Sequence, residues 1–386
     1  MRAVELFAGA GGLGLGVSQA GFQPSVVAEW NKWSCGTIRE NRSPRKPLAK
    51  WPDPFEGDVR DLDYSTLVNK VELVSGGPPC QPFSLGGKHR GNTDTRDMWP
   101  EAVRAVREIR PKAFIFENVK GLTRSSFAGY FNHILLQLSY PSVGLKAGED
   151  WLDHSSRLQR HHTGRPADSE EYRVVFNVIN AADYGVPQRR ERVVFVGFRA
   201  DLQKEWSFPK ATHCLDALLW TQCISYEYWE RHQVLLRERT MDGRLYARGC
   251  AILSKPKEKA WRTTRDAIGD LPDPELEPNK AQAIANHKFQ PGARSYPGHS
   301  GSPLDEPAKT LKAGVHGVPG GENMLVREDG SIRYFTVRES ARLQTFPDNF
   351  TFQGSWTEAM RQLGNAVPVT LARVVARDVA RSLLAK

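Results

Sequence analysis

Val4-Glu5-Leu6-Phe7-Ala8-Gly9-Ala10-Gly11-Gly12-Leu13-Gly14 runs from a short apolar strand into a segment with four glycines in six residues. Glycine at such a turn lets a ligand approach the backbone, and a helix opening there offers unpaired N–H groups to it. Gly9, Gly11 and Gly14 satisfy the spacing of a dinucleotide fingerprint, and Glu29 stands at the end of the next expected strand. A nucleotide-type cofactor follows. The pattern does not choose between NAD and an adenosyl ligand, because a carboxylate suits ribose hydroxyls in both.

Outward from this turn, apolar runs at residues 3–7, 25–30, 71–75, 113–117, 174–179 and 192–198 alternate with segments of helical period, clearest across 101–110. Such alternation predicts an α/β fold built on a doubly wound, mostly parallel sheet, with ligands beyond the carboxyl ends of its strands. The polar segment 144–171, with His154, His161 and His162, reads as a surface loop without a metal-ligand spacing. From about residue 199 the alternation gives way to Pro, Gly, Arg and Trp, which suggests a second, irregular domain. Between Arg237 and Arg265 it carries nine Lys or Arg against three Asp or Glu. Helical period returns at 337–344 and 369–384.

Composition narrows the function. A chain of 386 residues with 40% hydrophobic and 25% charged residues is globular and long enough for two or three domains of ~150 residues. It has no run apolar enough to cross a bilayer, and Glu5 falls where a signal peptide would be apolar; a non-secreted, non-membrane protein is expected. The formal net charge of +9 admits either a polyanionic partner or a solvated basic surface. Five widely spaced cysteines, none in a Cys-x-x-Cys pair, argue against a disulfide framework and a structural zinc.

Three further segments carry chemistry. Gly76-Gly77-Pro78-Pro79-Cys80-Gln81-Pro82-Phe83-Ser84 directly follows an expected strand, so stiff and bent elements would present Cys80 at its carboxyl end. Two readings fit: a nucleophile, or a cysteine in a tight structural turn. Ala113-Phe114-Ile115-Phe116-Glu117-Asn118-Val119 ends an apolar strand in a carboxylate, either a structural sheet-edge glutamate or a proton donor with a raised pKa. In Gln188-Arg189-Arg190-Glu191-Arg192, strand alternation turns Gln188, Arg190 and Arg192 to one side, as an anion clamp or a solvated edge.

Together with Arg338-Glu339-Ser340-Ala341-Arg342-Leu343-Gln344 and Gly364-Asn365-Ala366-Val367-Pro368, these motifs stand in one order along nearly the whole chain. The chain resembles the C5-cytosine DNA methyltransferases. The resemblance implies an S-adenosylmethionine-dependent catalytic domain at 1–198 plus 345–386 and a target-recognition domain at 199–344, with duplex DNA between them. It implies cofactor contacts from Phe7, Gly9, Gly12, Glu29, Trp30, Asp58, Val59, Asn365 and Val367. Glu29 would take the ribose hydroxyls, Trp30 would stack on adenine, and Asp58 would receive its amino group. Cys80 would add to C6 of a flipped-out cytosine, Glu117 would protonate N3, and Arg192 with Arg190 would neutralise charge near O2. Gln81, Ser84, Lys88 and Arg90 would lie in a DNA-closing loop, and Arg244, Arg248 and Lys257 would contact phosphates. A transfer-RNA methyltransferase and an inactive DNA-binding relative are the alternatives. An NAD dehydrogenase explains the glycine turn but none of the other motifs.

The chain departs from the family pattern in three places. Glu5 stands where Asp is usual, 144–171 is longer than the norm, and the recognition region matches only through Pro307-Ala308-Lys309-Thr310-Leu311 and the glycines after it. Compactness resembles the prokaryotic restriction–modification enzymes. That implies a cytoplasmic, nucleoid-associated monomer, paired in function with a restriction endonuclease but not in a stable complex.

Overall fold

The computed structural model describes residues 1–79, 97–164, 171–295, 300–314 and 323–385. Each of the six expected strands is present, in one seven-stranded sheet. They are β1 (Arg2–Leu6), β2 (Gln23–Glu29), β4 (Leu73–Gly76), β5 (Ala113–Val119), β6 (Tyr172–Asn180) and β7 (Glu191–Arg199), joined by a short β3 (Phe55–Glu56). The order is β3-β2-β1-β4-β5-β7-β6, and every neighbouring pair is parallel except those made by β7. The expected mostly parallel, doubly wound sheet is therefore the architecture.

Alternation along β5 shows why the fold needs helices on both sides. Phe114 and Phe116 enter a core with Val4, Leu6, Val74 and Phe195, covered by α3 (Trp99–Ile109) and α4 (Ala128–Ser139). Ala113 and Ile115 enter another with Leu73, Val194 and Val196, covered by α1 (Gly12–Gln19) and α13 (Val369–Leu384). Each large side chain so buried contributes about 1.5–3 kcal/mol, and a strand buried on both faces reads as a continuous apolar run. The C-terminal helix can sit against the first because Gly16 has no side chain: a Cβ there would stand 2.5 Å from Cβ of Ala372.

The 144–171 segment corrects the expected loop. It contains α5 (Trp151–Thr163), capped by Asp150, whose carboxylate accepts the N–H groups of Leu152 and Asp153. The helix buries His154, Ser155 and Leu158, the last packing against Leu136 and Tyr140. An inner face made partly of histidine and serine does not register as amphipathic.

Between β7 and the last two helices the elements are short. A two-stranded β8 (His213–Cys214) and β9 (Lys259–Ala260) flank α6 (Leu215–Cys223), α7 (Glu227–Arg231) and α8 (Gly243–Cys250). A small core of Leu218, Tyr228, Trp229 and Val234 holds them, and Trp261 Nε1 ties them to Asp183 at 2.9 Å. Packing is continuous across the rest of the chain: Ala267, Ile268, Ala308, Leu311 and Phe335 share a core with Ala8, Ala10, Leu15 and Trp51. Among the described residues no helix is long and apolar enough to cross a membrane.

Candidate active site

The carboxyl ends of β1, β2, β4 and β5 gather the predicted residues along one edge of the sheet. At the end of β1 the chain turns sharply: Phe7, Gly9 and Gly11 have φ of 53°, 55° and 89°. Glycine adopts this left-handed region freely, whereas Phe7 holds it under strain, which an enclosing structure must sustain. Glu29 fixes the turn from the end of β2, with Oε2 accepting Gly9 N–H at 2.7 Å and Oε1 accepting Asn31 N–H at 2.8 Å. Burial raises its pKa, and those backbone donors oppose the rise. A Cβ on Gly9 would meet nothing within 4 Å, so open space lies above the turn. Trp30 beside it is 75% exposed. Asp58 follows β3, adjoining Glu29 through the Gly57 N–H to Glu29 carbonyl bond of 3.1 Å, and its carboxylate is paired with Arg60 at 3.1 Å. Val59 is buried behind it.

The far end of the chain completes this corner. A Cβ on Gly12 would lie 2.5 Å from the Val367 carbonyl, so α1 begins in contact with the Val367 backbone and the Ala366 side chain. Asn365, the last residue of α12 (Trp356–Asn365), is exposed there and Val367 is buried. The turn thus brings together an exposed indole, a carboxylate fixed by two N–H groups and an uncovered glycine backbone, donors and surfaces suited to an adenosyl group.

Beneath the turn lies Glu5, where Asp was the expected residue. It is fully buried beside Gly14 and accepts a hydrogen bond from Ser75 Oγ. Burial pushes its pKa up to about 8, against the opposing hydrogen bonds of Ser75 and Gly14. The folded chain therefore keeps a proton that the unfolded chain releases near pH 4.5. Stability is fully present below that pH and falls as pH rises towards 8, by on the order of a few kcal/mol. Glu5→Gln should flatten this fall. Urea midpoints measured from pH 5 to 8.5 check it, and an unchanged slope would assign the pH dependence elsewhere.

The second corner lies between β4 and β5. Cys80, Gln81, Ser84, Lys88 and Arg90 lie outside the described residues. What is described is the frame on which Cys80 follows. Asn118 Nδ2 donates to the Pro78 carbonyl at 2.9 Å, and Met98 N–H to the Pro79 carbonyl at 3.3 Å. Glu117 Oε2 lies 3.4 Å from the position of a Gly77 Cβ, so the glycine leaves room for the carboxyl group over the turn. These roles of Gly77 and Asn118 were not read from sequence; the paired glycines before Pro78 were the available signal.

Glu117 is 8% exposed, and its Oε1 stands 2.8 Å from Arg192 Nε. Burial raises the pKa, while the fields of Arg192 and Arg190 and the contact with Arg192 pull it down; burial prevails. The carboxyl group therefore keeps its proton to higher pH than an exposed one, as a general acid requires.

The structure separates the three side chains expected on one face of the arginine motif by what they hold. Arg192 pairs with Glu117. Arg190 is fully buried and donates to the carbonyls of Leu311, Gly364 and Ala366 at 3.1, 2.6 and 2.9 Å. Gln188 accepts Leu311 N–H at 3.3 Å. Arg190 and Gln188 thus fasten segments more than a hundred residues away. On the basic segment, Arg248 pairs with Asp216 at 2.7 Å, whereas Arg244 and Lys257 are exposed without an ion pair among the described residues. Arg265, the last of the nine, is committed to Asp305 at 2.6 Å.

Residues 1–141 and 166–381 match the model of the family described as C-5 cytosine-specific DNA methylase. The chain is 34% identical over 383 residues to the Type II methyltransferase M.PspPI of Psychrobacter sp. (strain TA137), covering 98% of this chain and 79% of that one. It is 31% identical over 393 residues to the Type II methyltransferase M.Eco47II of Escherichia coli, again covering 98% and 79%. Among solved structures it is similar to a prophage-encoded E. coli chain assigned as a DNA modification methyltransferase. That likeness has a TM-score of 0.60 at 20% identity and covers 99% of each chain; it concerns the fold.

Proposed function

The chain belongs to the C-5 cytosine-specific DNA methylase family, and from that premise we propose that it methylates C5 of a cytosine flipped out of one specific duplex sequence, through a covalent bond from Cys80 to C6. The observation that carries this reading is the juxtaposition of Glu117 with the Gly77-Pro78-Pro79 turn leading to Cys80. S-adenosylmethionine, when bound, supplies an electrophilic methyl group.

Cytosine C5 is a poor nucleophile inside a stacked duplex, so the base must leave the stack. The Cys80 thiolate forms a bond to C6 with its own electron pair. The displaced C5=C6 pair moves through C4 towards N3, leaving a C4=C5 enamine whose C5 is nucleophilic. Glu117 gives its proton to N3, so that no full negative charge accumulates on the ring. Arg192, fixed by Glu117, offsets charge near O2; Arg190 adds positive potential from behind and holds the 311 and 364–366 segments in place. After C5 has been methylated, a water removes its proton, that bonding pair re-forms C5=C6 as the thiolate leaves C6, and N3 returns its proton to Glu117. Gln81, Ser84, Lys88 and Arg90 contact the DNA beside the flipped base.

At the glycine turn, Glu29 takes the ribose hydroxyls, Trp30 covers the adenine face and Asp58 accepts its amino group. The backbone of Phe7, Gly9 and Gly12, with Val59, Asn365 and Val367, shapes the rest. Residues 1–198 and 345–386 act as the catalytic part and 199–344 select the sequence. Arg244, Arg248 and Lys257 hold phosphates there, a role that requires Arg248 to exchange Asp216 for DNA. The enzyme acts as a monomer in a prokaryotic cytoplasm, beside the nucleoid, and a restriction endonuclease shares its sequence without a stable complex.

Bisulfite sequencing of DNA and transfer RNA from a methylation-deficient host expressing the chain tests the reading. Protected cytosines in one short DNA motif are expected. Protection confined to transfer RNA would overturn the DNA substrate, and no protection in either from folded protein would overturn the activity.

A further inference from the structure

Residues 142–165 fall outside the family match, yet the helix they form reaches towards the nucleophile's frame. Trp151, the first residue of α5, sets its ring edge-on to Tyr130 of α4, with centroids 5.5 Å apart at 84°. His133, three residues on from Tyr130, packs against Trp151 at 5.7 Å and against His154 of α5 at 5.1 Å. Nε2 of His154 is held on the Val143 carbonyl at 2.7 Å. Both histidines are buried, and burial keeps their pKa values low, so the contact is between neutral rings.

From the inner side of this cluster the Tyr130 hydroxyl donates to the Asp97 carboxylate. The other oxygen of Asp97 accepts Trp99 N–H at 3.1 Å, which closes a tight bracket over residues 97–99. Within that bracket Met98 N–H grips the Pro79 carbonyl at 3.3 Å. A phenol–carboxylate bond, here partly buried, is charge-assisted and directional. The line of contact therefore runs from Trp151 to Tyr130, Asp97, Met98 and Pro79, and Cys80 is the next residue.

We propose that Tyr130 is a positioning residue for the methyl-transfer reaction and that the inserted helix α5 supports it from outside. Tyr130 acts through Asp97 and the Met98–Pro79 bond on the direction in which the chain delivers Cys80. The α5 helix, by setting Trp151 edge-on to the Tyr130 ring and His154 against His133 of α4, keeps the hydroxyl aimed. The inference rests on Cys80 being the nucleophile.

Tyr130→Phe removes one oxygen and leaves the ring packing intact. A misplacement of the order of 1 Å can cost ~10²-fold in rate, so single-turnover methyl transfer should fall about 10- to 100-fold. Duplex and cofactor Kd values should stay within about twofold, because the variant removes none of their contacts. Trp151→Ala should slow the same step less. Combined with Tyr130→Phe it should add little, because both act through one hydroxyl and coupled sites are non-additive. Leu152→Ala, at an exposed position of the same helix, is the control and should match the unmodified enzyme. A Tyr130→Phe rate equal to the parent's would overturn the proposal. So would a loss matched by an equal loss of duplex affinity or of thermal midpoint. Additive effects would remove α5 from it. If the unmodified chain methylates no cytosine, the functional reading has failed and not the positioning.

Discussion

Glu117→Gln should slow methyl transfer by about 10²- to 10⁴-fold, the usual worth of a positioned general acid, while duplex affinity changes little. Gln keeps the volume of the side chain and can still donate a hydrogen bond to a ring nitrogen, so the base remains held. It cannot transfer a proton, and negative charge would then build on the ring as the thiolate adds. The loss should appear in kcat and in kcat/KM alike, which marks an interaction made in the transition state. Because burial raises the Glu117 pKa against the opposing pull of Arg192, the protonated form persists to higher pH than for an ordinary carboxyl. In the parent enzyme, rate limited by that acid should decline as pH rises through the raised pKa. The Gln variant should lack this decline. Stopped-flow methyl transfer from pH 5.5 to 9 measures both effects. An unchanged rate, or the same decline in the variant, would take proton donation away from Glu117.

The sheet was legible because strands buried on both faces must be apolar almost throughout, and six such runs stand out from their surroundings. Phe55–Glu56 was not legible, since two residues have no pattern and are held as a strand only by pairing with Ala28 and Glu29. The α5 helix was hidden for a different reason: its inner face is His154, Ser155 and Leu158, and polar residue types were assigned to solvent. At the site, Glu117 could be picked out because a carboxylate at the end of an apolar strand is costly without a partner, Glu29 from its place after the glycine fingerprint, and Arg192 from the spacing of its motif. Strand alternation put Gln188, Arg190 and Arg192 on one side but left open whether that side was solvated. It could not show that Arg190 would be occupied by carbonyls of Leu311, Gly364 and Ala366, because those partners are fixed by the tertiary fold. Glu5 shows the same limit. Its position under the glycine turn was readable, but its protonation follows from burial that only the packed structure reveals.

Cys80→Ser should lower turnover by more than about 10⁴-fold, the scale on which removing a nucleophile disables covalent catalysis. A hydroxyl is nearly isosteric with the thiol but essentially un-ionised at neutral pH, whereas a thiol near its free pKa of ~8.5 supplies thiolate readily. Cofactor affinity should be retained, because Glu29, Gly9 and the 365–367 segment form a corner separate from the Pro-Pro turn. A duplex carrying 5-fluorocytosine at the target position tests the covalent step directly. After methylation the ring holds fluorine where a proton should leave, fluorine cannot depart as a cation, and the Cys80–C6 bond persists. The parent should therefore form a complex with this duplex that survives denaturing electrophoresis. The two site variants should then differ in kind. Glu117→Gln should form the adduct slowly, since the nucleophile is intact and only charge neutralisation is lost. Cys80→Ser should form none at any time. An adduct with the serine variant, or near-normal turnover by it, would show that Cys80 serves the turn and that the nucleophile lies elsewhere.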